Sequence, residues 1–343
     1  MKVAMYYSNR DVRIEEMPVP EIGQDEILIK IKASGICGSD IMEWYRKDKV
    51  PLVLGHEIAG EIAEAGSKVK GFKTGQRVSA SHHVPCNECY WCLNGHSSAC
   101  EMLRSTKFYP GGFAEYVKIP AINIEKKGVY PLPDNVSSID GSFSEPIACV
   151  MRAQRLAGMK EGKTVLVIGS GISGLLHVML ARVNGASKIM ATDVVEMKLN
   201  KAKEIGADLS LNAKEYKPQA IKDINKGRLA DLVILCAGEL SAFQQAVDSI
   251  EKGGTLLIFS AIKNNAEIPL QANKLFWRNE ITITSSYANH PEEQKQAIEL
   301  MSRGVMPVDK LVTHRFGLAD TEKGFRLMEE GRDCIKVIIE PHK

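Results

Sequence analysis

The sequence predicts an α/β protein that combines a β-rich domain with a doubly wound domain built on a parallel six-stranded sheet. Three observations support this prediction. The chain has 343 residues, which corresponds to about two domains at roughly 150 residues each. Up to about Tyr130 the apolar runs are short and separated by Gly and Pro, as is typical of β structure. After Glu145 apolar strand runs alternate with helical segments, as expected for a parallel sheet with crossover helices.

The composition is that of a globular protein. Hydrophobic residues make up 44% of the chain and charged residues 25%, which excludes a disordered, collagenous or coiled-coil chain. Forty-four Lys and Arg against 42 Asp and Glu leave a net charge of +2. Neither a nucleic acid nor an anionic membrane surface is therefore expected as a partner.

No targeting or membrane segment is expected. Met1–Glu16 contains six charged side chains and no apolar stretch of the length of a signal peptide, so we expect a cytoplasmic protein. The most apolar stretch, Val165–Ala181, is interrupted by three glycines and a histidine and is shorter than the roughly 20 residues that cross a bilayer.

The elements of the two domains follow from the apolar periodicity. In the β-rich part, Glu26–Ile31 and Glu57–Ala63 are predicted strands. In the second domain Val195–Ile205 is a predicted crossover helix, because its apolar residues recur every three to four positions. The six strands predicted there are Thr164–Ile168, Lys188–Thr192, Leu209–Leu211, Asp231–Cys236, Thr255–Ser260 and Ile281–Ser286. Beyond Tyr287 the sequence predicts the helices Pro291–Arg303 and Asp320–Glu330 and the strand Cys334–Ile339.

A glycine-rich turn follows the first of these strands. Its sequence is Gly169, Ser170, Gly171, Ile172, Ser173 and Gly174, and a predicted helix continues through Leu175–Asn184. In a dinucleotide fingerprint the first glycine permits the tight turn, the second lets the backbone approach a pyrophosphate, and the third allows close helix packing. The helix N-terminus then faces the phosphates. We predict a nicotinamide dinucleotide site here, the alternative being a Gly-rich turn that arose by chance.

The choice between NAD and NADP depends on Asp193, which ends the next predicted strand. A carboxylate at this position accepts hydrogen bonds from both ribose hydroxyls and repels a 2′-phosphate. Val194 and Val195 follow it in place of the arginine that a 2′-phosphate would need. The sequence therefore predicts NAD, and Lys198 is included among the cofactor-binding candidates.

Four cysteines lie close together in the first domain. Cys86, Cys89, Cys92 and Cys100 form one 15-residue loop, which can wrap a tetrahedral ion without other ligands. Four thiolates leave no position open for substrate, so the predicted zinc is structural and stabilises a loop with little core of its own. The alternative is surface thiols or disulfides.

Two further segments carry metal-binding residue types. Taken alone, Cys37 in Cys-Gly-Ser-Asp and His56 in Gly-His-Glu are ambiguous, since a lone cysteine is often a small buried hydrophobe. Together with other segments in the same order, however, they resemble the zinc-dependent medium-chain dehydrogenase/reductase family, and within it the polyol (sorbitol) and threonine dehydrogenase branch. The segments that carry the resemblance are Cys37–Asp40, Gly55–Glu57, Gly66–Gly75, Cys86–Cys100, Gly112–Tyr116, Glu145–Pro146 and Gly169–Gly174.

The resemblance implies a domain organisation. Residues 1–150 and 288–343 would form a GroES-like catalytic domain, and residues 151–287 an inserted Rossmann NAD-binding domain. It also implies a homodimer or homotetramer, paired through the last Rossmann strand, Thr282–Ser286.

The resemblance further implies a second, catalytic zinc. Cys37 and His56 would be ligands, Glu145 would be the third protein ligand, and Glu57 is the competing carboxylate. Asp40 resembles the carboxylate that fixes the tautomer of the zinc-binding imidazole, and its alternative role is to cap a turn.

Two positions depart from the family pattern. Met42 stands where many relatives have a proton-relaying histidine, and Arg152 where polyol enzymes often have a histidine. Ser39 would accept the proton of the alcohol, but the path from there to solvent must use water or another group.

The resemblance implies NAD-dependent interconversion of a secondary alcohol and its ketone. The expected substrate is a polyol, sugar alcohol or sugar-alcohol phosphate, and an amino alcohol such as threonine is the alternative. A silent NAD-binding sensor on the same fold and a zinc-free quinone reductase are hypotheses of other classes. Four cations are candidates for binding an anionic substrate group, or are surface charges: Arg104, Lys107, Arg152 and Arg278.

Overall fold

The computed structural model describes residues 1–262 and 267–343. The chain forms two compact units. The first unit contains Met1–Ala148 and Ala288–Lys343, and the second contains Cys149–Tyr287. The predicted change of domain, after residue 150, lies two residues C-terminal to this division.

The N-terminal part of the first unit contains short strands and short helices. The strands are β1 (Lys2–Ser8), β2 (Asp11–Glu16), β3 (Ile27–Gly35), β4 (Leu52–Val53), β5 (Glu57–Ala65), β6 (Arg77–Ala80), β7 (Tyr116–Ile119) and β8 (Val129–Pro131). The helices are α1 (Glu43–Arg46), α2 (Tyr90–Leu93), α3 (Glu101–Ser105), α4 (Ala121–Glu125), α5 (Ser138–Ser142) and α6 (Ser144–Leu156), the last of which contains the division between the units.

The second unit alternates strands and helices. Its strands are β9 (Thr164–Ile168), β10 (Lys188–Asp193), β11 (Leu209–Asn212), β12 (Ala230–Leu235), β13 (Ile250–Ile258) and β14 (Thr282–Ser285). Its helices are α7 (Ile172–Val183), α8 (Glu196–Glu204), α9 (Gln219–Ile224), α10 (Leu240–Asp248) and α11 (Ala272–Leu275). The chain then returns to the first unit with α12 (Pro291–Ser302), β15 (Val312–Gly317), α13 (Thr321–Glu330) and β16 (Lys336–Glu340).

The sheet of the second unit is parallel and follows the order β11-β10-β9-β12-β13-β14. All five residues of β9 are buried, as expected for a central strand in a sheet covered on both faces. The order reverses between β9 and β12, which is the topology of doubly wound dinucleotide-binding sheets. The predicted parallel six-stranded sheet is thus confirmed within the described residues.

The first unit is built on a seven-stranded sheet and a three-stranded sheet. In the larger one the order is β15-β16-β3-β5-β6-β8, with β7 also paired to β3. The alternating residues Ile27, Ile29 and Ile31 of β3 are completely buried, because one face of the strand packs into an apolar cluster with β5 and β6. Since β16 pairs with β3, the C-terminal segment completes the sheet that the N-terminal segment begins. The predicted β-rich domain is confirmed.

The helices of the described residues can be compared with the length and apolar character of a membrane span. Across residues 1–262 and 267–343, no helix combines the length and the apolar character needed to span a membrane.

Candidate functional site

Strand pairing in the first unit brings the sequence-predicted metal ligands together. In the antiparallel pair of β3 and β5, Gly35 is opposite Glu57. The turn that follows β3 and the residue that precedes β5 therefore lie at the same edge of the sheet. The ligand atoms of Cys37, His56 and Glu57 all lie within 4.8 Å of one another.

A buried carboxylate supports this cluster from behind. Asp40 is completely buried; its Oδ2 accepts a hydrogen bond from the backbone N–H of Cys37 at 3.0 Å, and its Oδ1 lies 3.4 Å from Nδ1 of His56. Burial by itself raises the pKa of Asp40, but His56, the Cys37 N–H and Arg46 outweigh it and hold that pKa below its usual value. An ionised Asp40 orients the imidazole and leaves Nε2 available to a ligand.

The electrostatics of the cluster favour a cation. Burial lowers the pKa of His56, but the charges of Asp40 and Cys37 raise it well above the ordinary value. The negative potential that attracts a proton here also attracts a divalent metal ion, which displaces the proton when it binds. A thiolate, an imidazole and a carboxylate form a donor set typical of catalytic zinc, so the residues present fit that metal.

Two carboxylates compete for the third ligand position. Glu57 is buried and forms an ion pair with Lys336, whose Nζ also donates to the carbonyl of Ile36 at 3.0 Å. Glu145, near the start of α6, is 6% exposed, and its Oε1 accepts a hydrogen bond from Nδ2 of Asn289 at 3.3 Å. Among the residues described, Glu57 belongs to the 4.8 Å cluster and Glu145 does not.

A stack of histidines adjoins the cluster, and sequence reasoning missed it. The ring centroid of His82 lies 4.8 Å from that of His56 and 3.7 Å from that of His83. Burial, followed by the charges of His83, His56 and Arg46, holds the pKa of His82 well below its usual value. The His-His pair before the cysteine loop is a sequence signal, but only the pairing of Ile58 with Ala80 shows that it lies beside His56.

The four-cysteine loop also brings its thiols together. The sulfurs of Cys86, Cys89, Cys92 and Cys100 lie within 4.8 Å of one another, and all four cysteines are free. The backbone N–H of Cys89 donates to Sγ of Cys86 at 3.3 Å, and that of Cys86 to Sγ of Cys100 at 3.4 Å. Backbone N–H groups of Glu88 and Cys89 lower the pKa of Cys86 to about 6. A stabilised thiolate among three other thiols fits a four-sulfur zinc site.

The glycine-rich turn of the second unit has the geometry expected of a phosphate-binding turn. Gly169 has φ +92°, a backbone conformation that favours glycine. A Cβ on Gly174 would lie 1.9 Å from the carbonyl oxygen of Gly169, whereas a Cβ on Gly171 would have no atom within 4 Å. Gly174 is therefore needed for helix packing, and Gly171 borders open space, as expected where a pyrophosphate would approach the backbone.

Asp193 is tied to this turn. Its Oδ2 accepts a hydrogen bond from the backbone N–H of Ser170 at 2.7 Å, and its Oδ1 accepts one from Val195 at 2.9 Å. Ile172 and Ser173 begin α7, so their backbone N–H groups belong to its unpaired first turn. Lys198 lies on α8.

The other predicted residues are placed as follows. The backbone N–H of Ser39 donates to Sγ of Cys37 at 3.5 Å, so Ser39 belongs to the metal-ligand turn. Met42 immediately precedes α1. Arg152 is buried on α6, whereas Arg104 and Arg278 are exposed.

The sequence is similar to dehydrogenases over its whole length. Residues 23–134 match the family described as the alcohol dehydrogenase GroES-like domain, and residues 173–303 match the family described as zinc-binding dehydrogenase. A sorbitol dehydrogenase of Bacillus subtilis is 33% identical, the alignment covering 100% of this chain and 98% of the relative. An L-threonine 3-dehydrogenase of the same organism is 34% identical over 96% of this chain and 94% of the relative.

A solved structure shows the same similarity. Galactitol-1-phosphate dehydrogenase from Escherichia coli superimposes with a TM-score of 0.87 at 29% sequence identity, covering 99% of this chain and 100% of that one. The relatives thus share both units of the chain and differ among themselves in the substrates that their names state.

Proposed function

Because the chain belongs to the zinc-dependent medium-chain dehydrogenase/reductase family, we propose that it oxidises a secondary hydroxyl of a polyol, sugar alcohol or sugar-alcohol phosphate to the ketone with NAD. At the coarser level the chain is a zinc-dependent alcohol or polyol dehydrogenase. The observation that carries the proposal is the cluster of Cys37, His56 and a carboxylate, with Asp40 buried behind the imidazole.

Each part of the cluster has a role in the proposal. Cys37 and His56 would hold the catalytic zinc together with Glu145 or Glu57. When bound, zinc would supply Lewis acidity that makes an alcohol hydroxyl easier to deprotonate, and NAD would supply the hydride acceptor. Asp40 keeps the imidazole in one orientation, and the Ser39 hydroxyl accepts the substrate proton. Because Met42 has no titratable group, we propose that water takes the proton on from Ser39.

We propose Glu145 as the carboxylate that matters more for zinc. Lys336 already neutralises Glu57 through a buried ion pair. Moving Glu57 onto a metal would leave the Lys336 ammonium buried without its partner, which is costly. The Glu145 carboxylate accepts a hydrogen bond from the neutral amide of Asn289, and the resemblance to the family places a metal-binding side chain at this position.

The cofactor preference rests on Asp193. Its carboxylate stands at the end of β10 beside the glycine-rich turn, where it would repel a 2′-phosphate. NAD is therefore the proposed cofactor, held by Gly169–Gly174 with Asp193 and Lys198. We further propose two zinc ions per chain, and a homodimer or homotetramer joined through β14, an edge strand of its sheet. Light scattering on the purified protein tests the assembly.

One experiment tests the main proposal. The purified protein is analysed for zinc, and NADH formation is followed with a panel of hexitols, pentitols, their phosphates and threonine. Two zinc ions per chain and turnover of a polyol or polyol phosphate are expected. Turnover of threonine alone would favour the amino-alcohol alternative. One zinc ion and no turnover of any member would favour a silent NAD-binding protein and overturn the proposal.

A further inference from the structure

Arg46 lies beside the turn that carries the proposed ligand Cys37 and the proposed proton acceptor Ser39. It is the last residue of α1, and its side chain is 15% exposed. Its Nη2 donates to the carbonyl oxygen of Ser39 at 3.2 Å. The guanidinium is thus anchored directly to the residue that, in the proposed function, receives the substrate hydroxyl.

The charge of Arg46 is only partly matched by the protein. Its Nη2 lies 3.9 Å from Oδ1 of Asp40, but the same oxygen lies closer to His56, at 3.4 Å. The other oxygen of Asp40 accepts from the backbone of Cys37. Asp40 therefore lies closer to the imidazole of His56 and to the backbone of Cys37 than to Arg46, with which it does not form a close ion pair.

The guanidinium also has a donor without an acceptor. Nε of Arg46 is buried and has no hydrogen-bond partner among residues 1–262 and 267–343. A buried donor left unpaired is costly, so its environment favours the arrival of an acceptor. The guanidinium lies over the Tyr45 ring, 4.9 Å from its centroid, and such stacking fixes the plane in which the group presents its donors to an oxyanion.

Other cations of the first unit are poorer candidates for binding an anion at this turn. Lys336 is paired with Glu57. Lys107 is exposed, and Arg104 is exposed and donates to the carbonyl of Ser98 at 3.2 Å.

We propose that Arg46 determines substrate specificity by binding an anionic group, a phosphate or a carboxylate, on a molecule whose hydroxyl group contacts Ser39. The inference rests on the proposed function, because it takes Ser39 as the position of the reacting hydroxyl. It narrows the substrate class to polyol phosphates and hydroxy acids, including hydroxy amino acids. Neutral polyols lack the group that would pair with the guanidinium.

Matched substrate pairs test this assignment. A hexitol is compared with its 1-phosphate, and threonine with threoninol, which lacks the carboxylate. For the wild type we expect kcat/KM to be higher for the anionic member of at least one pair. The pair that shows this preference identifies the bound group as a phosphate or as a carboxylate. Arg46→Gln should reduce the ratio of anionic to neutral kcat/KM by about 10- to 100-fold, mainly through KM, since a charged hydrogen bond is lost. Lys47→Gln, which removes the same charge one residue later on an exposed side chain, should leave the ratio unchanged.

Arg46→Lys distinguishes binding of the anionic group from a structural role of Arg46 in the turn. The variant keeps the positive charge, so it should restore part of the preference for the anionic substrate. Equal losses for both members of a pair in Arg46→Gln would show that Arg46 only holds the turn, and would overturn the assignment. A wild type that prefers the neutral members would also overturn it.

Calorimetric titration of the zinc-loaded protein with inorganic phosphate and with acetate gives a readout that does not need turnover. Weaker binding of one of these ions to Arg46→Gln than to Lys47→Gln supports the assignment, and equal binding contradicts it. Absence of turnover with every substrate would overturn the proposed function, while these titrations would still decide the role of Arg46.

Discussion

A buried histidine in the second unit should make the protein sensitive to mildly acidic pH. His177 lies on α7 and is completely inaccessible to solvent. Its Nδ1 lies 3.2 Å from Nε2 of Gln154, and its ring meets the Phe259 ring edge-on at 4.6 Å between centroids. Nε2 of His177 has no partner within the described part of the chain. Burial lowers the pKa of His177 to about 3, so the imidazole is neutral in the folded protein.

The size of the effect follows from linkage between protonation and folding. In the unfolded chain the pKa of a histidine is about 6.5. Between that value and about 3, the unfolded chain binds one more proton at this position than the folded chain. Stability contributed by the neutral ring is therefore complete above about pH 6.5 and is lost as the pH falls below it. At pH 5 the difference is about 1.5 pH units, or about 2 kcal/mol.

The assay compares the wild type with His177→Leu, which has no titratable group and a similar volume. Gln154 keeps a partner in this variant, because its Nε2 also donates to the backbone carbonyl of residue 177 at 2.9 Å. The free energy of unfolding is measured by urea denaturation at pH 7 and pH 5, with the same zinc content and protein concentration. Between these pH values the wild type should lose about 2 kcal/mol more than the variant. Groups common to both proteins cancel in this difference.

An exposed histidine serves as control. His96→Gln should show the same pH dependence as the wild type, because His96 is exposed. If His177→Leu also lost as much stability as the wild type between pH 7 and pH 5, the ring would not be held neutral by burial, and the reasoning would be wrong.

Three further predictions concern the proposed metal and cofactor sites. Cys89→Ser should lose one zinc ion per chain and several kcal/mol of stability but keep its NAD affinity. Metal analysis, thermal unfolding and NAD titration check these three effects. An unchanged zinc content would contradict a structural zinc site. Gly171→Ala should fold normally but bind NAD at least about tenfold more weakly, because the new methyl group enters open space at the turn. Gly174→Ala should be less stable by about 1–3 kcal/mol, because its methyl group meets a backbone oxygen. Calorimetry of unfolding and of NAD binding distinguishes the effect on stability from the effect on cofactor affinity. Normal NAD affinity in Gly171→Ala would contradict the assignment of this turn to the pyrophosphate. Glu145→Gln should lower the zinc content. Glu57→Gln should keep its zinc and change the rate by about 10- to 100-fold, and it should also lose about 3–5 kcal/mol of stability because Lys336 loses its buried partner. Full zinc occupancy and normal activity in Glu145→Gln would exclude Glu145 as a ligand.

The sequence alone determined those features that are formed by residues close together along the chain. The glycine-rich turn, the strand before it and the helix after it form one continuous segment, and β9 was predicted with the bounds that the structure shows. The four cysteines lie on one 15-residue loop, so their proximity requires only that the loop closes. The parallel sheet follows from alternating strand and helix patterns, which have few allowed topologies.

The tertiary structure decided which distant groups meet at the candidate metal centre. His82 lies beside His56 because β5 and β6 pair in one particular register, and a shift of one residue would direct every side chain to the opposite face. Lys336 reaches Glu57 across 279 positions of sequence, and Asn289 reaches Glu145 across 144. Local propensity and spacing carry no information about such pairs, because the partner of a buried charge is set by which strands and helices pack together. For the same reason the sequence identified Cys37, His56 and both carboxylates as candidates, but the ion pair of Glu57 with Lys336 and the hydrogen bond of Arg46 to Ser39 became visible only in the folded chain.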